Sequence, residues 1–248
     1  MTDNLLQVQG LCKSFGAVKA NHNFNLQIVS GTVHALIGPN GAGKTTALNQ
    51  LSGELVPDKG TIIFSGKDIT RLKPYKRSRL GITRSFQITS IFENMSVEEN
   101  IALSIISKSG HNFRFLNDCL ASPLVRSELG GALERVGLLE RKKVKARHLS
   151  HGEKKQLEVG MALLGNPKLL MLDEPMAGMG PGGTVEMSKL IRRLRETMTI
   201  LLVEHDMEVV FALADTITVL VSGETIASGN PAEIRSNELV RAAYLGDD

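Results

Sequence analysis

The chain has 248 residues, of which 42% are apolar and 22% charged, and its net charge is +3 at pH 7. This composition is typical of a globular protein and argues against disorder, and the length allows one large domain or a core with an inserted subdomain. The charge is too mild to indicate a nucleic-acid partner, and no apolar run of about eighteen residues predicts a membrane-spanning helix.

The first part of the chain is rich in strand-like runs. A helical pattern begins at Lys44 and ends near Gly53. The run that precedes it, at 33–38, is almost wholly apolar, which is typical of a strand buried on both faces. The predicted strands are LLQVQ at 5–9, FNLQIV at 24–29, VHALIG at 33–38, TIIF at 61–64 and GITRSF at 81–86.

Residues 88 to about 165 change character, because stretches typical of helices, such as Val97–Ile106 and Ser127–Val136, replace the strand-like runs. Beyond this segment strands and helices alternate again. The pattern predicts an α/β fold with a parallel sheet flanked by helices and split in sequence by a helical insertion. The later elements are strands in KLLMLDEP and TILLVEHD, a helix over Met207–Ala214 and a hairpin that turns at Ser222 and Gly223.

The segment GPNGAGKTT fits the phosphate-binding pattern G-x-x-x-x-G-K-[ST] and lies between a buried strand and a helix. Its glycines let the backbone wrap around phosphates, so that the amides become donors. Lys44 is placed to reach the β- and γ-phosphates, and the hydroxyl of Thr45 to bind Mg²⁺. Nucleotide contacts are therefore predicted for Gly38, Pro39, Asn40, Gly41, Ala42, Gly43, Lys44, Thr45 and Thr46.

A second motif, LLMLDEP, is an apolar strand that ends in two acids, Asp173 and Glu174. Asp173 is predicted to hold the metal through its water shell, and Glu174 to take a proton from an attacking water. The chain lacks the Asn-Lys-x-Asp pattern with which GTPases read guanine, so the predicted nucleotide is ATP.

A third feature is the stretch LSHGEKKQLE at 149–158, where Ser150 and Gly152 precede a helix-like run. Amides at such a helix start can hold an anion. One nucleotide rarely needs two phosphate cradles in the same chain, so the stretch raises the question of which anion it binds.

Together these motifs resemble the ATP-binding cassette family over nearly the whole chain. LSHGE occupies the place of the family's signature, Gln87 in RSFQ that of its Q-loop and His205 in VEHD that of its switch histidine. The resemblance implies a P-loop NTPase (RecA-like) core with an antiparallel β subdomain and an inserted α-helical subdomain. Residues 1–248 then form one ATPase domain, with 1–87 and 166–248 as the core and 88–165 as the signature subdomain.

The resemblance also implies roles for residues. Two cassettes meet head to tail, so Ser150 and Gly152 are expected to contact the γ-phosphate held by the partner. Gln87 and His205 join Glu174 as catalytic residues, and Gln87 joins Thr45 and Asp173 at the metal. Phe15, in KSFG, matches the aromatic residue on which family members stack adenine.

Three positions depart from the family pattern. His151 stands where many cassettes have the first signature Gly, and Glu153 where many have Gln. Gly180 stands where the family commonly has Asp, so the usual contact between subunits through that loop is not predicted. The presence of Glu174 indicates an active rather than a degenerate site.

A free-standing cassette without membrane spans or a long coiled coil indicates an importer with separate membrane subunits. GKDIT, GITRSFQ, MSVEENI and a tail ending in AAYLG are similar to the ATPase subunits of branched-chain amino acid importers, although urea and amide importers share much of this pattern. The implied partners are a second ATPase subunit, identical or related, the permease subunits and, indirectly, a solute-binding protein. The implied location is the cytoplasmic face of the inner membrane, where the chain is peripheral and attached through the permease. The start of the chain also lacks the basic segment and apolar core of an export signal.

Two other functions remain open. A P-loop kinase explains Gly38–Thr45 but gives no role to LSHGE, Gln87 or His205. A non-transport cassette that acts as a regulated interaction switch explains all the motifs. Two basic clusters, at 71–79 and 141–147, are expected to face solvent, anionic lipid or a partner.

Overall fold

The protein is described by a computed structural model over residues 4–85, 91–109, 120 and 122–244. The chain divides into two compact units. The first, called the sheet unit, comprises the chain up to Arg84, Lys168–Glu174 and the chain from Leu194 onward. The second, called the helical unit, comprises Ser85–Pro167 and Pro175–Arg193. Residues 175–193, which were expected in the core, cluster with the helical unit.

The strands of the described chain all belong to the sheet unit. In chain order they are β1 (Asn4–Phe15), β2 (Val18–Val29), β3 (Val33–Ile37), β4 (Lys59–Phe64), β5 (Lys67–Asp68), β6 (Ile82–Arg84), β7 (Leu169–Asp173), β8 (Thr199–Val203), β9 (Thr216–Val221) and β10 (Glu224–Gly229).

The helices belong to both units. They are α1 (Lys44–Ser52), α2 (Pro74–Leu80), α3 (Val97–Ser109), α4 (Pro123–Arg135), α5 (His151–Leu163), α6 (Pro181–Arg195), α7 (Met207–Leu213), α8 (Pro231–Ser236) and α9 (Glu238–Tyr244). Among the described helices, none is both long enough and apolar enough to cross a bilayer.

The sheet unit contains two sheets. The antiparallel sheet has the order β2-β1-β4-β5, and the larger sheet has the order β10-β9-β3-β8-β7-β6. In the larger sheet β6, β7, β8, β3 and β9 run parallel, and β10 pairs antiparallel with β9 at the edge. All five residues of β3, β7 and β8 are buried, which is typical of parallel strands covered on both faces.

One hydrophobic cluster connects the two sheets through α1. Leu48 and Leu51 of that helix belong to the same cluster as Phe24 from the antiparallel sheet and Met171 and Leu201 from the parallel sheet. Each of these side chains is at most 1% exposed. Because α1 directly follows the loop at residues 38–43, this packing holds the loop against the parallel sheet.

The helical unit is built from α3, α4 and α5, which pack against one another. A Cβ on Gly160 of α5 would lie 3.2 to 3.3 Å from side-chain atoms of Val136 and Ile101, so glycine permits the close approach. The predicted α/β fold with a helical insertion is thus confirmed. Helices α3 and α4 lie where Val97–Ile106 and Ser127–Val136 were expected, and α5 follows them within the insertion.

The basic cluster at 71–79 contains an unexpected structural residue. Arg77 lies in α2 with only 1% of its surface exposed. Its guanidinium donates to the carbonyls of Gln50 and Leu51 at 2.6 and 2.8 Å, and also to those of Leu72 and Thr70. The last carbonyls of α1 have no amide partner within the helix, and the guanidinium of Arg77 satisfies two of them. Arg77 therefore does not face solvent or lipid.

His34 gives the fold a pH dependence. It is 1% exposed in β3, with Nε2 lying 2.8 Å from Oγ1 of Thr218. Burial lowers the pKa of His34 to about 4. Between this value and the ordinary value of about 6.5, the unfolded chain binds a proton that the folded chain does not. Stability contributed by the neutral imidazole is therefore lost as the pH falls through this range.

We expect His34→Gln to reduce acid sensitivity, because glutamine keeps a polar group for Thr218 and does not titrate. On going from about pH 7 to about pH 4.5, the wild type should lose about 2 kcal/mol more of its free energy of unfolding than the variant. Urea unfolding at both pH values measures this difference. Equal losses for the two proteins would contradict a buried neutral His34.

Candidate active site

The loop between β3 and α1 has a backbone that only glycine adopts easily. Gly41 and Gly43 have φ angles of +81° and +99°. A Cβ at Gly43 would lie 2.2 Å from the carbonyl oxygen of Ala20, and one at Gly38 would lie 2.2 Å from that of Leu220. Both distances are far inside van der Waals contact, so the loop passes closer to its neighbours than a side chain allows.

Two distant segments hold this loop in place. The Asn21 amide donates to the carbonyl of Gly43 at 3.3 Å and accepts from Gln50 at 2.7 Å. The amide of Gly223, in the β9–β10 turn, donates to the carbonyl of Ala42 at 2.9 Å. These contacts use carbonyls of the loop, and within the loop the amide of Ala42 donates to the carbonyl of Pro39 at 3.1 Å.

Helix α1 starts at Lys44 without a side-chain cap, since Gly43 occupies the capping position. The uncapped amides and the helix dipole favour an anion there. Thr45, the second residue of the helix, is exposed, and Thr46 is half-buried. The loop and helix start therefore have the features of a phosphate site, as the sequence predicted.

The Lys44 side chain folds back onto the loop. Its ammonium donates to the carbonyls of Gly38 at 2.6 Å and Pro39 at 3.1 Å, and the residue is 6% exposed. Burial lowers the pKa of Lys44, while the negative charges of Glu174 and Asp173 act in the opposite direction. The three charged groups thus interact at one edge of the parallel sheet.

Asp173, at the end of β7, is 2% exposed. Its Oδ2 accepts from Nη2 of Arg84 at 2.7 Å. Its Oδ1 is buried and has no hydrogen-bond partner among the described residues. A free carboxylate oxygen and the exposed Thr45 hydroxyl are oxygen donors of the kind that suits Mg²⁺, which usually takes few protein ligands beside water and phosphate.

Glu174 and His205 form a direct contact. Oε1 of Glu174 lies 2.6 Å from Nε2 of His205, which follows β8. Glu174 has a φ angle of +48°, and its amide donates to the carbonyl of Val203 at 2.8 Å. Such a conformation costs about 1–3 kcal/mol for a residue other than glycine, and strain of this kind is common at active sites. The backbone thereby directs the carboxylate toward the imidazole.

Phe15 lies at the end of β1 with 49% of its surface exposed. The ammonium of Lys13 is 5.8 Å from the centre of its ring. The ring is therefore outside the core, and a flat ligand has access to it. Its stacking on adenine remains a prediction.

In the helical unit, Ser150 caps the start of α5. Its Oγ accepts from the amide of Glu153 at 3.2 Å, and the Glu153 carboxylate accepts from the amide of Ser150 at 2.8 Å. This capping box uses two amides and leaves those of His151 and Gly152 outside it. The Glu that departs from the family pattern at position 153 thus stabilises the helix start.

His151 connects the helix start to the loop after Glu174. Its Nε2 lies 3.1 Å from the carbonyl oxygen of Ala177, which can accept a hydrogen bond from this nitrogen. A Cβ on Gly178 would lie 3.6 Å from the same imidazole nitrogen. The imidazole therefore packs on the segment that contains Gly180, the other position that departs from the family pattern.

Several site residues were not found from the sequence. Arg84, Asn21 and Gly223 contact predicted site residues but come from other parts of the chain. Arg84 is a charged residue within the strand predicted at 81–86, which marks it as unusual, but the sequence does not show which residue it meets. Gln87 lies outside the described residues, so its role remains a prediction.

Comparisons with known proteins agree with these motifs. The chain matches the ABC transporter family over residues 21–177, and the branched-chain amino acid ATP-binding cassette transporter family over residues 224–248. It is 38% identical to the high-affinity branched-chain amino acid transport ATP-binding protein LivG of Escherichia coli, over the full length of both chains. It is 37% identical to BraF of Pseudomonas aeruginosa, a protein of the same description, again with both chains fully covered.

Another relative is named for a different kind of transport, and two solved cassette structures are similar to this chain. The lipopolysaccharide export system ATP-binding protein LptB of Acidithiobacillus ferridurans is 33% identical, with 98% of this chain and 97% of that one covered. The solved structure of an ABC transporter cassette in its ADP conformation has a TM-score of 0.87 and 30% identity, with 98% and 99% coverage. A nucleotide-free cassette has a TM-score of 0.86 and 31% identity, with 98% and 100% coverage.

We expect Gly43→Ala to weaken nucleotide binding at least about tenfold, a loss that corresponds to roughly 1.4 kcal/mol. The added Cβ would meet the backbone of Ala20, and alanine resists the left-handed conformation at φ +99°. Gly131→Ala, at an exposed position in α4 with nothing within 4 Å, is the matched control. Titration of a fluorescent ATP analogue measures both, and wild-type affinity in Gly43→Ala would contradict the assigned loop.

Proposed function

Because the chain belongs to the ABC transporter family as an ATP-binding subunit, we propose that it drives an importer by pairing with a second cassette around ATP and separating after hydrolysis. The observation that carries the proposal is the 2.6 Å contact between Glu174 and His205 at the sheet edge where Lys44 and Asp173 interact. A nucleotide-binding loop alone would also fit a kinase. A carboxylate held by a histidine beside that loop fits the hydrolysis of ATP by water.

ATP binding begins with the loop at 38–46. Its glycines bring backbone amides close to the triphosphate, and the uncapped start of α1 adds donors for the negative charge. Lys44 exchanges the carbonyls of Gly38 and Pro39 for phosphate oxygens, which are stronger acceptors because they are charged. Phe15 offers an exposed ring on which adenine stacks.

Magnesium fits the oxygens available at this edge. Thr45 and Asp173 would hold it, with Gln87 as a further predicted ligand. When bound, the ion supplies positive charge that offsets charge developing on the β- and γ-phosphates.

Hydrolysis requires a base that stays in position. Glu174 accepts a proton from the attacking water, and His205 holds the carboxylate through its contact with Oε1. We also propose that the imidazole contacts the γ-phosphate, as the resemblance to the family's switch histidine implies. The strained backbone of Glu174 fixes the carboxylate before ATP arrives, so little reorganisation is needed during the reaction.

The second cassette completes the site. The amides of His151 and Gly152, together with the Ser150 hydroxyl, provide an anion site at the start of α5 for the partner's γ-phosphate. Shifting a pair of cassettes from 1:99 closed to 99:1 closed requires about 5.5 kcal/mol of differential binding, which two triphosphates clamped from both sides can supply. Removal of the terminal phosphoryl group weakens the clamp and lets the pair open.

The solute is proposed to be a branched-chain amino acid. The support is the family match at residues 224–248 and the naming of LivG and BraF as branched-chain amino acid transport proteins. The chain would work at the cytoplasmic face of the inner membrane, attached to permease subunits that receive the solute from a binding protein. The cassette does not contact the solute, so the choice of solute lies with those partners.

We expect Glu174→Gln to bind ATP with near wild-type affinity, to form a stable ATP-dependent pair and to lose turnover at least about a hundredfold. Glutamine keeps the shape of the side chain but cannot take the proton, as expected for the loss of a general base. Sedimentation with and without ATP, beside a phosphate-release assay, measures pairing and turnover. A variant that turns over normally and stays monomeric at saturating ATP would refute both the base and the pair.

The control for pairing is Ser150→Asp in the Glu174→Gln background. Aspartate is also a good helix cap, so α5 is preserved. Its charge repels a γ-phosphate, so ATP-dependent pairing should be lost while each chain still binds ATP. A double variant that pairs as well as Glu174→Gln would show that the signature does not face the nucleotide.

The proposed solute has a separate test. The chain should copurify with permease subunits from membranes of the organism that makes it, and the reconstituted complex should take up leucine, isoleucine and valine in an ATP-dependent manner. Lys44→Ala in the same complex should abolish uptake. Uptake of urea or amides without branched-chain amino acids, or outward transport of a lipid, would contradict the proposed solute but leave the ATPase assignment intact.

A further inference from the structure

Arg84 makes contacts that neither the phosphate loop nor the catalytic pair requires. It is the last residue of β6, the edge strand that runs parallel to β7, and its neighbour in register is Met171, two residues before Asp173. The guanidinium is 8% exposed, and the carboxylate that it meets is 1% exposed. The ion pair therefore lies in the interior, where an orienting contact is screened little by water.

The guanidinium joins two elements of the site. Nη2 donates to Oδ2 of Asp173 at 2.7 Å, while Nη1 donates to Oδ1 of Asn49 at 2.5 Å and to Glu54 at 3.3 Å. Asn49 belongs to α1, the helix that follows the phosphate loop. Arg84 thus links that helix to the end of β7. The planar guanidinium reaches Asn49 and Asp173 with two separate nitrogens in a fixed geometry, whereas a lysine would have to reach both acceptors from one nitrogen with no fixed plane.

The two carboxylate oxygens of Asp173 differ in their hydrogen bonding. Oδ2 is held by Arg84, and Oδ1 is buried with no partner among the residues that the structure describes. A buried polar atom without a partner is costly unless another group satisfies it. Fixing one oxygen also fixes the direction of the other, since the carboxylate is planar and rigid.

We propose that Arg84 is a positioning residue for magnesium, which orients Asp173 so that Oδ1 faces the ion and ties this orientation to α1 through Asn49. The inference rests on the proposed function and deepens it at the metal site. Partners that orient a metal-binding side chain typically change metal affinity 10–100-fold when they are removed. Arg84 is therefore expected to act on the metal rather than on the phosphates directly.

The test is Arg84→Met and Arg84→Lys in the full chain, with Arg79→Met as control because Arg79 is exposed and contacts Tyr75 instead of the site. Affinity for a fluorescent methylanthraniloyl ATP is measured in EDTA, and Mg²⁺ is then titrated into the nucleotide complex. We expect affinities within about twofold of the wild type in EDTA. The Mg²⁺ dissociation constant should rise tenfold or more for both Arg84 variants and stay unchanged for Arg79→Met.

Several results would overturn the inference. Unchanged or tighter Mg²⁺ binding in Arg84→Met would show that the arginine is structural or competes with the ion. Wild-type behaviour of Arg84→Lys would show that charge alone matters. Equal losses of nucleotide affinity with EDTA and with Mg²⁺ would indicate a damaged phosphate loop. A wild-type chain that binds no ATP would instead refute the proposed function itself, so the two failures are distinguishable.

Discussion

The active site depends on the alignment of buried parallel strands. Leu36 of β3 and Asp173 of β7 both pair with Val203 of β8, and Arg84 of β6 is in register with Met171. This register makes the strands end at the same edge, which is the usual place for ligands in open parallel sheets. The hydrogen bonds and apolar packing of the sheet therefore gather residues that lie far apart in sequence into one site.

Acidic and basic side chains are paired at this edge before a nucleotide binds. The acids Asp173 and Glu174 are accompanied by the cations Arg84 and Lys44, and His205 contacts Glu174. Each group has a specific partner within the protein, so the site is organised in advance for a charged ligand. The proposed division of labour is consistent with these contacts, because Arg84 is paired with the acid proposed to bind the metal, and Lys44 donates to loop carbonyls that a phosphate is proposed to replace.

The two helix starts that are predicted to bind phosphate differ in a way that fits their proposed roles. Helix α1 begins after Gly43 with no side-chain cap, whereas α5 begins with the capping box of Ser150 and Glu153. The first is the helix start proposed to bind the chain's own nucleotide. The second keeps a defined shape without a ligand, as expected if its phosphate comes only when a partner arrives. His151, a departure from the family pattern, adds a contact to the carbonyl of Ala177.

The sequence alone determined the features that depend on neighbouring residues: the glycine-rich loop, the acids that end β7, the helix start at Ser150 and the α/β order of elements. These are local because spacing and backbone freedom specify them. Only the tertiary structure decided that Arg84 contacts Asp173, which lies 89 residues further along the chain. It also decided that Asn21 and Gly223 hold the phosphate loop and that Arg77 is buried. Such contacts depend on strand register and helix packing, which bring distant residues together and leave no periodic trace in the sequence.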